Sequence, residues 1–156
     1  MRAYLAALAA TTALVVPSLA EARQVTFETQ LKAHGGPGAY VALYVTDAAG
    51  KYQGTLWIAG GAAKYYRHLS DWQRLSGGGA AEIDGITGAS IGSGKTLKIT
   101  VDLADTLIDA GYRVQVDTAV EDGRDNPSEI VAPLAAESSG KPFAGKGYVK
   151  SFKITF

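Results

Sequence analysis

The chain has 156 residues, enough for one domain and too few for two separate cores. Fifteen Lys and Arg balance fifteen Asp and Glu, and a neutral chain lacks the electrostatic footprint of a nucleic-acid binder. Cysteine is absent, which excludes disulfides, thiolate metal sites, a thiol nucleophile and an acylated lipoprotein cysteine; His34 and His68, the only histidines, are too few for a His-rich metal cage.

Residues 1–22 read as a secretory signal. Arg2 supplies a short positive flank, Ala3 to Val16 is almost wholly apolar, Pro17 breaks the run, and Ala20-Glu21-Ala22 offers the small residues a signal peptidase needs. The run is too short to remain as a membrane span. The mature chain is therefore expected to be one domain, 23–156, beginning at Arg23 in a periplasmic or extracellular space.

That domain reads as all-β. Val25, Phe27 and Leu31 share one face of a first strand. Ala39 to Val45 is apolar on both faces, which marks a central strand, and Thr55 to Ala59 is a shorter two-sided segment. Leu97, Ile99, Val101 and Leu103 alternate with polar residues, as do Tyr112, Val114, Val116, Thr118 and Val120, then Phe152, Ile154 and Phe156. Such alternation means half-buried antiparallel sheet. Turns are expected at 34–38, 47–50, Asp122-Gly123 and Asn126-Pro127. The spacing predicts an antiparallel β-sandwich of immunoglobulin-like kind.

Gly60 to Gly94 breaks the pattern with nine glycines and room for one short helix. Ser70 is the expected cap of that helix, with Gln73 as its capping-box partner, and Gly77-Gly78-Gly79 is the expected end. Tyr65, Tyr66, His68 and Trp72 within the insertion need something to pack on.

Most candidate chemistries fail on context. Ala89 to Thr96 loosely fits a phosphate-binding P-loop, but a strand pattern follows the lysine where a helix is required, so ATP is not expected. Ser90, His68 and Asp71 or Asp84 could be drawn as a hydrolytic triad, yet no strand–turn–helix elbow surrounds Ser90; His68 reads better as a partly exposed residue beside the helix. The acidic stretch Asp102 to Glu129 has no calcium-loop spacing and reads as a solvated face. Lys141, Lys146, Lys150 and Lys153 read as outward residues of an edge strand.

Asp84-Gly85-Ile86-Thr87-Gly88-Ala89-Ser90 is more specific. It resembles the acceptor motif for covalent flavin attachment, Asp-x-x-Ser/Thr-Gly-Ala-Thr/Ser, in which an FAD-dependent flavin transferase moves FMN onto the last hydroxyl as a phosphoester. The residue types suit that chemistry. On that resemblance Ser90 would be the acceptor hydroxyl on an accessible loop, Gly88 and Ala89 would let another enzyme's cleft approach the backbone, and Asp84 and Thr87 could hold the turn by side-chain bonds.

The chain from Ala39 to Phe156 also resembles the exported bacterial domain of unknown function 2271 family. The resemblance is carried by Tyr40 to Gly50, Thr55-Leu-Trp57, Lys64-Tyr65, Leu69 to Trp72, the Asp84 to Ser90 motif, Ala110 to Val114, Gly140 to Phe143 and the closing strand. It implies a periplasmic sandwich domain whose companions are the flavin transferase and membrane redox proteins of the PepSY type. The acceptor position is more often Thr in that pattern and is Ser90 here.

Two functions are open on these grounds. One is a flavin-carrying electron-transfer protein, a redox carrier rather than a stand-alone enzyme, with Tyr65, Tyr66, Trp72 and Trp57 as candidate neighbours of the flavin ring. The other is a flavin-free binding or assembly module that docks a protein partner through a sheet edge or the Gly-rich loop.

Overall fold

A computed structural model describes residues 21–156. All but the last two residues of the expected signal segment lie outside the described residues. Three strands precede the insertion: β1 (Ala22–Leu31), β2 (Ala39–Thr46) and β3 (Tyr52–Ala59). The insertion carries a 3-10 turn at Ala63–His68, the helix α1 (Ser70–Ser76), a second 3-10 turn at Ala80–Ile83 and a two-residue strand β4 (Thr87–Gly88). Four strands follow: β5 (Thr96–Ala104), β6 (Arg113–Val120), β7 (Asp125–Pro133) and β8 (Val149–Thr155).

The strands form two sheets, one ordered β5-β1-β8 and the other β4-β3-β2-β6-β7. All pairs are antiparallel except the short parallel pair β3–β4. The chain is thus mostly β, as the alternation predicts. The sheets share one core, with Val25, Phe27, Phe152 and Ile154 from the smaller and Val41, Leu43, Val114 and Val116 from the larger, all fully buried. Leu97, Ile99 and Val101, also expected inward, are half-buried because β5 is an outer strand of the smaller sheet.

All eight residues of β2 are buried. Val41, Leu43 and Val45 face the shared core, while Tyr40, Ala42 and Tyr44 face the opposite side. There the insertion lies over the sheet and adds Leu69, Trp72 and Ile83 to a second apolar cluster. This third layer gives Tyr65, Tyr66 and Trp72 the packing surface they need.

Three local expectations are corrected. Asn126-Pro127 lies inside β7 rather than in a turn. The strand tolerates the proline because β7 is an outer strand and the register shifts beside it, between Val116 and Thr118. Ser70 does not cap α1: Leu69 occupies the cap position and no side chain of the cap bonds to the helix. Gly77 does end it, in the left-handed conformation at φ 76°. Third, Asp102 to Glu129 is not uniformly a solvated face, since Asp117 within it is fully buried. Of the four lysines expected on an edge strand, Lys150 and Lys153 are exposed on β8, whereas Lys141 and Lys146 are exposed in the segment before it. The open side of β8 is partly covered: Gly140 N–H donates to Ile154 O at 2.8 Å, and Phe143 and Phe152 exchange two backbone bonds of 2.8 Å.

Val116 sits at the centre of the shared core with no exposure. Val116→Asp should lower the unfolding free energy by roughly 3–5 kcal/mol, the scale of an uncompensated buried charge. Urea denaturation checks this, and a cost below that of a surface substitution would mean that the two sheets do not pack through this face.

Candidate functional site

The insertion is fastened to the sheet by one buried carboxylate. Asp117 of β6 accepts the Trp72 backbone N–H at 2.7 Å, the Ser128 N–H at 2.8 Å and the Tyr44 hydroxyl at 2.9 Å. Trp72 is in the first turn of α1, so the missing cap is replaced by a carboxylate from another element. Ser128 also donates to Asp71 at 2.6 Å, and Trp72 Nε1 donates to Thr55 Oγ1 at 2.8 Å. Burial pushes the Asp117 carboxyl up, against the pull of its three donors. Burial also pushes the Tyr44 phenol far up, with the Asp117 charge adding to it. For Asp71 burial acts upward too, but the Ser128 hydroxyl and the Arg74 guanidinium outweigh it and leave its carboxyl lowered.

The Asp84 to Ser90 motif is an ordered extended segment at the edge of the larger sheet. Gly85 takes a left-handed φ of 78°, which turns the chain after the 3-10 element. Ile58 N–H then donates to Ile86 O at 2.9 Å and Gly60 N–H to Gly88 O at 2.8 Å, pinning the motif beside β3. Ala39 and Ile91 exchange two backbone bonds of 2.7 and 2.9 Å, so the chain leaves the motif by pairing with the start of β2.

Two glycines permit this path. A Cβ on Gly88 would lie 2.8 Å from the Trp57 ring, so the bare backbone lets the motif close onto β3. A Cβ on Gly38 would lie 2.5 Å from Ser90 Oγ, so Ser90 fills the space a side chain there would need. Asp84, Thr87, Ala89 and Ser90 are exposed. Among the described residues, the Ser90 hydroxyl makes no hydrogen bond. Neither Asp84 nor Thr87 makes the side-chain bond expected to hold the turn; backbone pairing and Gly85 hold it instead.

The expected aromatic neighbours separate. Trp72 is 1% exposed, and its ring stands perpendicular to Tyr66 inside the second cluster. Tyr65 is half-buried at the surface, edge-on to Tyr40 at 5.7 Å, and donates its hydroxyl to Glu121 at 2.6 Å. Trp57 packs partly against the shared core. His68 pairs through Nδ1 with Asp125 at 3.0 Å and not with Ser90, so no Ser–His–acid triad is assembled.

A pocket of about 280 Å³ opens beside Tyr65, between Tyr40, Arg67 and His68 on one side and Ala119 to Gly123 on the other. Asp117, Tyr40, Gly38 and Glu121 were missed as site-forming residues in the sequence reading. For Asp117 a signal existed: a neighbouring strand apolar on both faces implies that the outer face of the sheet is covered.

The family model described as a predicted periplasmic protein, the domain of unknown function 2271 family, matches residues 22–151. The chain belongs to this family. No curated protein and no solved structure matches it. The family span runs from β1 to the start of β8, so the insertion and its motif are internal to the family domain.

Asp117→Ala leaves three donors without their acceptor and should destabilise the protein by on the order of 3 kcal/mol at neutral pH. A raised folded-state pKa gives a contribution that is full below the ordinary carboxylate value and is lost as pH rises through the folded one. The stability advantage of the wild type over Asp117→Asn should therefore be larger in urea melts at acid pH than at neutral pH. An advantage that grows toward neutrality would reverse the assigned direction.

Proposed function

We propose that this is a periplasmic flavin-carrying electron-transfer protein on an immunoglobulin-like sandwich, with FMN joined by a phosphoester to Ser90. The observation that carries the reading is the Ser90 hydroxyl: exposed, free of hydrogen bonds among the described residues, and held at the end of an ordered Asp-x-x-Thr-Gly-Ala-Ser segment. A transferase acceptor needs a hydroxyl that can enter another enzyme's cleft. The exposed Asp84, Thr87 and Ala89 beside it leave that approach open.

In the attachment step Ser90 Oγ attacks the flavin-side phosphorus of FAD. The new O–P bond replaces the pyrophosphate bond, AMP leaves, and the hydroxyl proton passes to a base of the transferase. When bound, FMN supplies one- and two-electron redox chemistry, and a covalent tether keeps it from diffusing away outside the cell. The chain's own part is to present Ser90 and to shelter the ring. A membrane redox protein of the PepSY type is the proposed electron-exchange partner, on the strength of the family resemblance. No helix among the described residues is long and apolar enough to cross a membrane itself.

Export by cleavage after Ala22 belongs to the same proposal. Arg23 would then be the first residue and would keep its 3.0 Å ion pair with Asp105. N-terminal sequencing of secreted protein should begin at Arg23, and recovery of only intact Met1 chain from the cytoplasm would refute export.

Coexpression with a flavin transferase should add the mass of one FMN less one water and turn the protein yellow. Ser90→Ala should abolish the addition, Ser90→Thr should keep or improve it, and Asp84→Ala should weaken it. The competing reading, a flavin-free docking module, draws on Val131, a large apolar side chain 45% exposed on the outer strand β7. Colourless, unmodified protein in the presence of an active transferase would leave that reading in place of the carrier.

A further inference from the structure

Ser90 and the Tyr40–Tyr65 pocket lie on the same face of the larger sheet, at the same end. Ala39 and Ile91 pair directly and both pack toward the shared core. Side chains alternate along a strand, so Ser90 is turned to the opposite face, where Tyr40 joins the second cluster. The place of Ser90 over Gly38 agrees, since Gly38 is two residues from Tyr40 and shares its face. On the far side of β2, Ala39 pairs with Val120 and Tyr40 with Ala119. β6 ends at Val120, and Glu121 follows it in the turn as one wall of the pocket, with Tyr40 as another. Ser90 therefore sits over Gly38, two residues from a wall of the pocket. Neighbouring strands are about 4.8 Å apart, so the step from the hydroxyl to the pocket mouth is on the order of one or two such spacings.

We propose that the isoalloxazine ring of an FMN tethered at Ser90 lies in the pocket formed by Tyr40, Tyr65, Arg67, His68, Glu121 and Gly123. The proposal rests on the Ser90 reading and adds the place of the ring to it. The ribityl phosphate arm is long enough for one or two strand spacings, and Gly38 leaves its path clear. The pocket, about 280 Å³, is at the small end of ligand sites and suits one planar ring system rather than a whole dinucleotide. Tyr40 and Tyr65 give it aromatic walls, the arrangement a flat heteroaromatic ring packs against. The terminal N–H groups of Arg67 offer donors to ring carbonyls and nitrogens, while its Nε donates to His68 Nε2 and His68 Nδ1 pairs with Asp125. Glu121 Oε1 takes the Tyr65 hydroxyl, and its other oxygen offers an acceptor to the ring N–H. The Tyr65–Glu121 bond joins two lining residues and fixes Tyr65 as a wall before any ring enters.

The test uses full-length protein flavinylated by coexpression, with mass spectrometry to confirm one FMN per chain. A ring seated in the pocket should show an induced circular dichroism band in the visible and a fluorescence anisotropy close to that of the tumbling protein. Tyr65→Ala and Arg67→Glu should keep the added mass and the melting transition, lose the induced band and drop the anisotropy. Tyr65→Phe retains the wall without the Glu121 bond and should keep most of the band, which separates lost packing from general disruption. Modified wild type with no induced band and freely rotating flavin would overturn the pocket assignment and leave Ser90 attachment standing. Absence of the added mass would overturn both, so the two failures are told apart by the mass alone.

Discussion

A strand apolar on both faces must be covered on both faces, and β2 sets this requirement for the whole molecule. Its eight buried residues leave no face for solvent. One side is met by the smaller sheet, which brings Phe27, Phe152 and Ile154 against Val41 and Leu43. The other side has no third sheet to meet it, and the glycine-rich insertion takes that place. The insertion covers it with Leu69, Trp72 and Ile83, flanked by the partly buried Tyr65, Tyr66, Leu75 and Ile86, and its glycine-rich backbone is fixed by directed bonds as well as burial. Asp117 provides that anchor by accepting a helix-start N–H from the insertion and a backbone N–H from β7 at once.

The alternation made the two-sheet architecture legible, because period-two patterns in β5 and β8 report which face is buried without reference to any partner. Ala39 to Val45, apolar throughout, likewise announced a central strand. The limits of this reading have the same origin. β6 alternates as well and predicts a half-buried strand, yet Val114 to Val120 are buried on both faces because the insertion covers its polar side. β7 carries Asn126-Pro127, a local turn signal, and only its place at the sheet edge and the shifted register beside it make that dipeptide acceptable in a strand. Ser70 has the right chemistry for a cap, but the helix start points into the sheet, where Asp117 outcompetes a local side chain. Asp117 alternates with apolar residues as an exposed residue would. Its burial follows from a layer that only the tertiary structure adds.

The motif was legible as chemistry and not as geometry. Its glycines suggested a pliable loop open to another enzyme. In the structure they serve close packing, Gly88 against Trp57 and, outside the motif, Gly38 under Ser90. The two roles are compatible. A segment pinned by the Ile86, Gly88 and Ile91 backbone bonds presents one hydroxyl in one direction, while its exposed side chains remain free for recognition.

That order bears on what a tether at this position can do. A cofactor hung from a mobile loop samples many orientations, and each contact it makes must offset the entropy of fixing both the arm and the loop. With the loop already fixed, only the arm remains to be ordered, so even modest contacts suffice to hold a ring beside the sheet. The Tyr65 wall is fixed in the same way, by its bond to Glu121 and its edge contact with Tyr40, before anything binds. Tyr40 itself leans over Gly60, where a Cβ would lie 2.0 Å from its ring. The same strand that demands cover on both faces therefore also orients the aromatic wall through Tyr40, and Gly38, the residue before the strand, makes room for the hydroxyl that the proposed function requires.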